Sequence, residues 1–277
     1  MKKRDLLSIA DLSPEEIQGM LSRALEMKRG AQSQCLAGKN VAMLFEKPSL
    51  RTRVSFDVAV HDLGGHSIYL GRDEVGLGSR EGISDVGRVL SRYVDAIVAR
   101  TYSHQTLEAL ATYATIPVVN ALSDVEHPCQ ALGDLLTIEE RFGHLEGLTI
   151  VFVGDGNNVA ASLALGAAAV GSHFIIVSPP GYELPEAIVH RARSLAPAQG
   201  AARRQVVSLK EAARRADVVY TDVWVSMGQE SQGDQRRRDF QGYQVTPELM
   251  ALASPKAIFM HPLPAHHGDE VAEGMLE

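Results

Sequence analysis

Hydroxyl and guanidinium groups cluster in the motif Phe-Glu-Lys-Pro-Ser-Leu-Arg-Thr-Arg at residues 45–53. A strand-like apolar run precedes the motif, and a helix-like run follows it as far as Gly64. The first backbone N–H groups of a helix favour an anion, because they have no partner inside the helix and the helix dipole is positive there. Ser49 and Thr52 add hydroxyl donors, and Arg51 adds a forked guanidinium that suits phosphate. The stretch therefore predicts a phosphate site; the alternative is a capped surface helix with solvated arginines.

Arg100, His127 and Gln130 are further candidate site residues in the first half of the chain. Arg100 ends a short apolar run and is a candidate second phosphate ligand, with a surface salt bridge as the alternative. His127 and Gln130 belong to a His-Pro-Cys-Gln motif that opens a predicted helix. A neutral histidine can donate to a carbonyl oxygen, and a glutamine can bind an amide. The alternative for His127 is a buried imidazole at a helix cap, and Cys129 is interpreted as a packing residue.

The second half of the chain opens with the turn Gly-Asp-Gly-Asn-Asn at residues 154–158, directly after a predicted strand. This turn lacks the third glycine of the dinucleotide fingerprint, and the next strand ends in Ser-Pro-Pro with no acidic residue for a ribose. The adjacent amides of Asn157 and Asn158 suit a carboxylate better than a pyrophosphate. A nicotinamide-dependent oxidoreductase is nevertheless kept as an alternative function.

Two more segments of the second half carry polar candidates. Asp222 opens Asp-Val-Trp-Val-Ser-Met-Gly, which is interpreted either as a mobile substrate loop hinged at Gly228 or as a loop anchored by a buried tryptophan. His261 follows the last predicted strand and is open to a structural role. Asp269 and Glu270 are predicted to lie on a solvent-exposed face.

Composition excludes several classes of protein. The chain has 277 residues, 45% of them hydrophobic and 22% charged, which is typical of a soluble globular protein of one large or two medium domains. The net charge of -7 argues against nucleic-acid binding. Cys35 and Cys129 are too far apart to form a metal-like pair and indicate a reducing compartment. The most apolar stretch, 160–170, is too short to span a bilayer, and no signal peptide is recognised. We therefore expect a cytoplasmic protein.

Predicted strands alternate with predicted helices throughout the chain. The strands are expected at 41–45, 66–70, 96–99, 118–120, 149–153, 174–177, 205–207, 218–221 and 257–260. Residues 71–82 and 222–244 are predicted to be long polar loops, and residues 143–147 are predicted to join two halves. This alternation predicts an α/β fold of two domains, 1–143 and 144–277, each a parallel sheet flanked by helices. Ligands bind at the C-terminal ends of strands in such sheets, and every polar cluster follows a strand or opens a helix.

In this order the motifs resemble those of the aspartate/ornithine carbamoyltransferase family, and its ornithine-specific members most closely. The resemblance extends from residue 11 to about residue 271 and rests on the motifs Phe-Glu-Lys-Pro-Ser-x-Arg-Thr-Arg, His-Pro-x-Gln, Gly-Asp-Gly-Asn-Asn and Asp-x-Trp-x-Ser-Met-Gly. It implies an N-terminal domain for carbamoyl phosphate, a C-terminal domain for the amino acid and an active site in the cleft between them. It also implies a homotrimer or a multiple of it, and transfer of a carbamoyl group to the δ-amine of ornithine without a metal or organic cofactor.

The resemblance carries roles onto individual residues of this sequence. The implied catalytic residues are Arg51, Arg100, His127 and Asp222. The implied carbamoyl-phosphate ligands are Ser49, Leu50 through its backbone N–H, Arg51, Thr52, Arg100, His127, Gln130, Pro262 and Leu263. The implied ornithine ligands are Asn158, Asp222, Ser226 and Met227.

Three departures from the family pattern keep alternatives open. Leu50 stands where the family usually has threonine, and Pro262 stands where ornithine enzymes usually have cysteine. The sequence ends at Glu277, where the family normally continues with an arginine-bearing segment and a final helix. The alternatives are a non-catalytic or weakened relative that binds carbamoyl phosphate or an amino acid, and a transferase that uses another acceptor amine.

Overall fold

The computed structural model describes residues 3–78, 80–196, 208–226 and 228–276. The chain divides into two compact units, Met1–Leu132 and Gly133–Glu277. Each unit is built on a four-stranded sheet in which all the neighbouring strands run parallel. This arrangement confirms the predicted α/β class, with two parallel sheets flanked by helices.

The first unit begins with a 3-10 turn and then alternates helices with strands. Its elements are α1 (Pro14–Lys28), β1 (Asn40–Phe45), α2 (Leu50–Asp62), β2 (His66–Gly71), α3 (Arg72–Val75), α4 (Ile83–Tyr93), β3 (Ala96–Arg100), α5 (His104–Tyr113), β4 (Val118–Leu122) and α6 (Pro128–Phe142), whose later part belongs to the second unit. The strand order is β2-β1-β3-β4. The apolar run of β1 is buried from Val41 to Phe45, as expected for a central strand covered on both faces.

The second unit repeats the pattern with its own sheet. Its elements are β5 (Thr149–Val153), α7 (Asn158–Ala169), β6 (His173–Val177), α8 (Glu186–Leu195), α9 (Leu209–Ala213), β7 (Val218–Thr221), α10 (Gly233–Asp239), α11 (Pro247–Met250) and β8 (Ile258–Met260). The strand order is β6-β5-β7-β8. Every residue of α7 after Asn158 is buried, which its small and apolar side chains permit. The C-terminal ends of β5, β7 and β8 therefore lie along one edge of the sheet.

Two segments that were predicted to be loops contain helices. The first, 71–82, contains the single turn α3, where Glu74 accepts the Gly71 N–H at 2.6 Å and so closes the turn. The second, 222–244, contains a 3-10 turn (Glu230–Gln232) and α10. The helix α10 lacks the apolar periodicity from which a helix is predicted. The side chain that this helix buries is that of Arg236, which is only 4% exposed. The strand predicted at 205–207 lies outside the described residues.

No helix in the described part of the chain has both the length and the apolar character needed to cross a membrane.

Candidate active site

The helix α2 begins directly after Ser49, inside the stretch for which the sequence predicts a phosphate site. Ser49 is the N-cap, and its Oγ accepts the Thr52 N–H at 3.3 Å. The N–H groups of Leu50 and Arg51 precede the first intrahelical hydrogen bond and have no partner within the helix. The Leu50 side chain is 75% exposed, so its contribution to this site is its backbone.

Arg100, the last residue of β3, connects that strand to α2. Its Nη1 donates to the Thr52 Oγ1 at 3.1 Å, and its Nε is buried with no hydrogen-bond partner among the described residues. Only 5% of Arg100 is exposed, so the alternative of a surface salt bridge is wrong. Burial, together with the positive charge of Arg51, lowers the pKa of Arg100 to about 10.

His127 lies next to this cluster, one residue before α6. Its carbonyl oxygen accepts the N–H groups of Gln130 and Ala131, at 3.1 and 3.2 Å. Burial, together with the charge of Arg100, lowers the pKa of the His127 imidazole to about 3, so the ring is neutral at physiological pH. The neighbouring Cys129 behaves as the packing residue the sequence predicts, since burial raises the pKa of its thiol to about 12.

The first unit thus brings Thr52, Arg51, Arg100 and His127 within hydrogen-bonding or electrostatic range of one another. Two adjacent cations, two hydroxyl groups and an open helix N-terminus are the kinds of group that can bind an anion.

The turn between β5 and α7 uses its polar groups inside the second unit. The N–H of Gly154 donates to the Val177 carbonyl at 3.0 Å, and the N–H of Gly156 donates to the Tyr182 carbonyl at 2.8 Å. A Cβ at Gly156 would lie 2.5 Å from the backbone of residues 183–184, so glycine is needed for close backbone packing. These N–H groups are therefore not available to a pyrophosphate, which argues against a nicotinamide-binding turn.

Asp222 follows β7 and is held by two donors. The Asn157 Nδ2 donates to one carboxylate oxygen at 2.7 Å, and the Val223 N–H donates to the other at 2.8 Å. The Asn157 Oδ1 at the same time accepts the first N–H groups of α7. Burial raises the pKa of Asp222, although both hydrogen bonds and the nearby His261 act in the opposite direction. A buried carboxylate of this kind favours a cationic partner.

A buried ion pair, which the sequence interpretation missed, supports the segment after Asp222. The Arg236 guanidinium forms a salt bridge with Asp155, and its Nε donates to the Trp224 carbonyl at 2.5 Å. The Trp224 ring is buried and stacks on Phe240, with ring centroids 5.7 Å apart. This confirms that a buried tryptophan anchors the loop. Arg236 lies in a polar segment of the sequence, where nothing distinguishes it from a solvent-exposed arginine.

The loop after β8 contains a second missed residue. Glu270, predicted to lie on a solvent-exposed face, is wholly buried, and its Oε1 lies 3.2 Å from the His261 Nε2. Its burial is explained by its polar partners in the same loop, since the His266 N–H also donates to its Oε1 at 2.6 Å. Pro262 is half-buried, and Leu263 has a left-handed backbone with φ of 59°.

The other predicted ornithine ligands occupy separate positions in the second unit. Asn158 is the first residue of α7, and the Ser226 N–H donates to the Gln229 side chain of its own loop at 3.1 Å. Met227 lies outside the described residues. No group of three or more histidine, cysteine or acidic residues in the described part of the chain is arranged to hold a metal ion.

The two units match two successive domains of one protein family. Residues 4–140 match the aspartate/ornithine carbamoyltransferase carbamoyl-P binding domain, and residues 146–277 match the Asp/Orn binding domain. The chain belongs to the aspartate/ornithine carbamoyltransferase family.

Relatives within this family are similar over nearly the whole chain. An ornithine carbamoyltransferase of Anoxybacillus flavithermus is 49% identical over 281 residues, covering 100% of this chain and 90% of the relative. One from Hyperthermus butylicus is 51% identical, covering 99% of this chain and 89% of the relative. The solved structure of ornithine carbamoyltransferase from Pyrococcus furiosus has a TM-score of 0.93 at 46% identity, covering 99% of this chain and 89% of that structure.

Proposed function

We propose that this chain transfers the carbamoyl group of carbamoyl phosphate to the δ-amine of L-ornithine, giving L-citrulline and phosphate. The observation that carries the proposal is the buried Arg100 beside the charge of Arg51. A buried cation is costly unless an opposite charge pairs with it, so these two groups favour an anionic ligand. The family and the names of the relatives support carbamoyl phosphate as that anion and ornithine as the acceptor.

The first half of the chain, residues 1–143, is the proposed carbamoyl-phosphate domain. We assign the phosphate group to Ser49, Arg51, Thr52 and the backbone N–H of Leu50, and the carbamoyl group to Arg100, His127 and Gln130. The neutral imidazole of His127 suits this role, because it can donate to the carbonyl oxygen without carrying a charge of its own. Arg100 and Thr52 are the further donors toward the charge that develops on that oxygen in the transition state.

The second half, residues 144–277, is the proposed amino-acid domain. We assign ornithine to Asn158, Asp222, Ser226 and Met227, and we assign Pro262 and Leu263 to the carbamoyl phosphate. The fixed and buried carboxylate of Asp222 supports the binding of a substrate ammonium group, because each stabilises the charge of the other.

The proposed reaction is a direct displacement. An alkyl amine has a pKa of about 10.4 in water, so the δ-amine must lose a proton before it attacks, and removal from water favours that loss. The amine nitrogen then bonds to the carbonyl carbon, and the bond from that carbon to the phosphate oxygen breaks. The departing phosphate accepts the second proton that the nitrogen releases. Most of the acceleration comes from positioning and from fixed donors.

A turnover assay with the purified full chain tests this function. Citrulline and phosphate are expected in equal amounts when carbamoyl phosphate is supplied with ornithine. Aspartate, putrescine and acetylated ornithine serve as rival acceptors. Faster turnover with any of them would identify that compound as the acceptor instead of ornithine. Binding of carbamoyl phosphate in a calorimeter without any turnover would instead indicate a non-catalytic relative.

A matched pair of variants tests the anion site. Arg51→Gln is expected to lower kcat about 100- to 1,000-fold, since it removes a donor to the transition state. Arg23→Gln is the control, because Arg23 lies on the exposed face of α1 and pairs only with Glu26 at 2.8 Å among the described residues. Equal activity of the two variants would contradict the assignment of Arg51.

We also propose a homotrimer and a cytoplasmic location for this chain. The trimer rests on the family resemblance, and light scattering on the purified protein measures its mass directly. The location is supported by Cys35 and Cys129, which form no disulfide in the structure. Fractionation of the source cells tests it.

A further inference from the structure

The buried pair of His261 and Glu270 in the second unit has no part in the assignments above. Both side chains have zero exposure, and the His261 Nε2 lies 3.2 Å from the Glu270 Oε1. The other ring nitrogen, Nδ1, accepts the backbone N–H of Leu263 at 2.9 Å. One imidazole therefore contacts a buried carboxylate on one side and the backbone of a proposed substrate loop on the other.

The Leu263 contact determines which ring nitrogen carries the proton. A backbone N–H can only donate, so Nδ1 must present its lone pair. A neutral imidazole then has its proton on Nε2, where it donates to Glu270. Burial acts to raise the pKa of Glu270, but the hydrogen bonds from His261 and from the His266 N–H outweigh burial and leave that pKa lowered. Glu270 is thus an anion that selects one tautomer of His261.

Stability alone does not account for this pair. Replacing buried ionic or polar pairs with well-packed apolar residues is often neutral or stabilising. Here one oxygen of Glu270, Oε2, is also buried with no hydrogen-bond partner in the described part of the chain. The pair stands next to a second unfavourable feature, the left-handed backbone of Leu263 with φ of 59°, which residues with a Cβ rarely adopt.

The loop that carries the pair is anchored at both ends. His261 directly follows β8, whose Met260 pairs with Tyr220 of β7, two residues before Asp222. At the other end the Val245 N–H donates to the Glu270 carbonyl at 2.9 Å, and residues 245 and 271 form a β-bridge. His261 and Glu270 are both close enough to Asp222 to influence its pKa, which places the pair at the edge of the proposed amino-acid site.

We propose that Glu270 is a positioning residue, which fixes the His261 imidazole so that Nδ1 holds the Leu263 backbone in its left-handed conformation. This inference rests on the proposed function, because Leu263 is one of the residues assigned to carbamoyl phosphate. Glu270 acts through His261 and touches no substrate. The Glu270 carboxylate orients the His261 ring, and the ring in turn holds the Leu263 N–H.

Two substitutions of His261 separate the two ring contacts. The amide nitrogen of His261→Gln replaces Nε2 and keeps the donor to Glu270, but nothing accepts the Leu263 N–H. The amide oxygen of His261→Asn replaces Nδ1 and keeps that acceptor. The proposal predicts that His261→Gln loses on the order of 10- to 100-fold in kcat, a loss typical of misplaced substrate contacts, and that His261→Asn loses clearly less. Equal losses, or the reverse order, would overturn it.

A second pair of variants tests Glu270 itself. Glu270→Gln is expected to lower kcat with a much smaller change in the KM for ornithine, whereas the adjacent Asp269→Asn is expected to leave both unchanged. Asp269 is the matched control because it contacts the exposed Arg237 at 3.0 Å. Urea unfolding of each variant measures stability. Loss of kcat only in proportion to the fraction unfolded would make the pair structural and overturn the proposal.

A measurement on the unmodified full chain does not depend on turnover. Nitrogen-15 NMR of labelled histidines is expected to show a proton on the His261 Nε2 and none on its Nδ1. A proton on Nδ1 would overturn the inference even if every variant failed to fold. Absence of citrulline formation by the unmodified protein would contradict the proposed function. The NMR result would still show which nitrogen of His261 carries the proton.

Discussion

Asn157 donates to the Asp222 carboxylate at 2.7 Å while its own oxygen caps α7. One side chain therefore sets both the start of a helix and the orientation of a proposed substrate ligand. Serine and aspartate are also good N-caps, so the two tasks can be separated by substitution.

Asn157→Ser is expected to keep α7 capped and to remove the donor to Asp222, raising the KM for ornithine about 10-fold or more. Asn157→Asp keeps the cap but places a second carboxylate against Asp222, which raises the pKa of Asp222 further and weakens its charge. We expect the KM for ornithine to rise more in Asn157→Asp than in Asn157→Ser. Steady-state kinetics with ornithine varied measures both, and an unchanged KM in Asn157→Asp would contradict the role of Asp222.

Thr52 is expected to act through its hydroxyl group, which accepts from Arg100 at 3.1 Å. Thr52→Val keeps the shape of the side chain and removes the hydroxyl, so kcat/KM for carbamoyl phosphate should fall about 100-fold. Thr52→Ser retains the hydroxyl and is the control. If valine and serine gave the same kcat/KM, the hydroxyl would have no part in the site.

His127 predicts a pH dependence of stability. Its pKa is about 3 in the folded protein against 6.5 as a free side chain. As pH falls from 6.5 toward 3, the unfolded chain gains a proton that the folded chain does not, so this group lowers the free energy of unfolding across that window. His127→Gln should therefore be less sensitive to acid than the parent protein.

Urea midpoints at about pH 7 and about pH 4.5 measure this difference. The control is His190→Gln, because His190 is exposed on α8. The prediction fails if both variants respond to pH as the parent does.

Arg236 is expected to matter for stability and for ornithine binding. The pair with Asp155 has side-chain exposures of 5% and 13%, so Arg236→Met leaves a buried carboxylate unpaired at a cost of about 3–5 kcal/mol. The Trp224 carbonyl also loses its donor, and the KM for ornithine should rise. Urea unfolding and kinetics measure the two effects.

Adding Asp155→Asn to that variant should recover part of the lost free energy of unfolding, because the uncompensated charge is removed. Arg237→Met on the exposed face of α10 is the control and should cost less than about 1 kcal/mol. No recovery in the double variant would show that the cost arises from packing instead of charge.

The strands and most helices could be predicted from the sequence because their burial follows the apolar pattern, as in β1. The positions of Arg100 and Asp222 could also be predicted, since Arg100 ends one strand of a parallel sheet and Asp222 directly follows another. Arg236 and Glu270 could not. Each is a charged residue whose burial depends on partners brought close only by folding, Asp155 for one and His261 for the other.

The turn formed by Gly154 and Gly156 restricts how this scaffold could be changed. Both of its amide groups are committed to neighbouring carbonyls, and the helix behind it is already capped by Asn157. An engineer who wished to install a nucleotide here would have to break two main-chain hydrogen bonds and displace a cap before any diphosphate could enter. Exchanging side chains around Asp222 is therefore a simpler way to change the acceptor amine than rebuilding the turn at Gly154 and Gly156, because it breaks none of these hydrogen bonds.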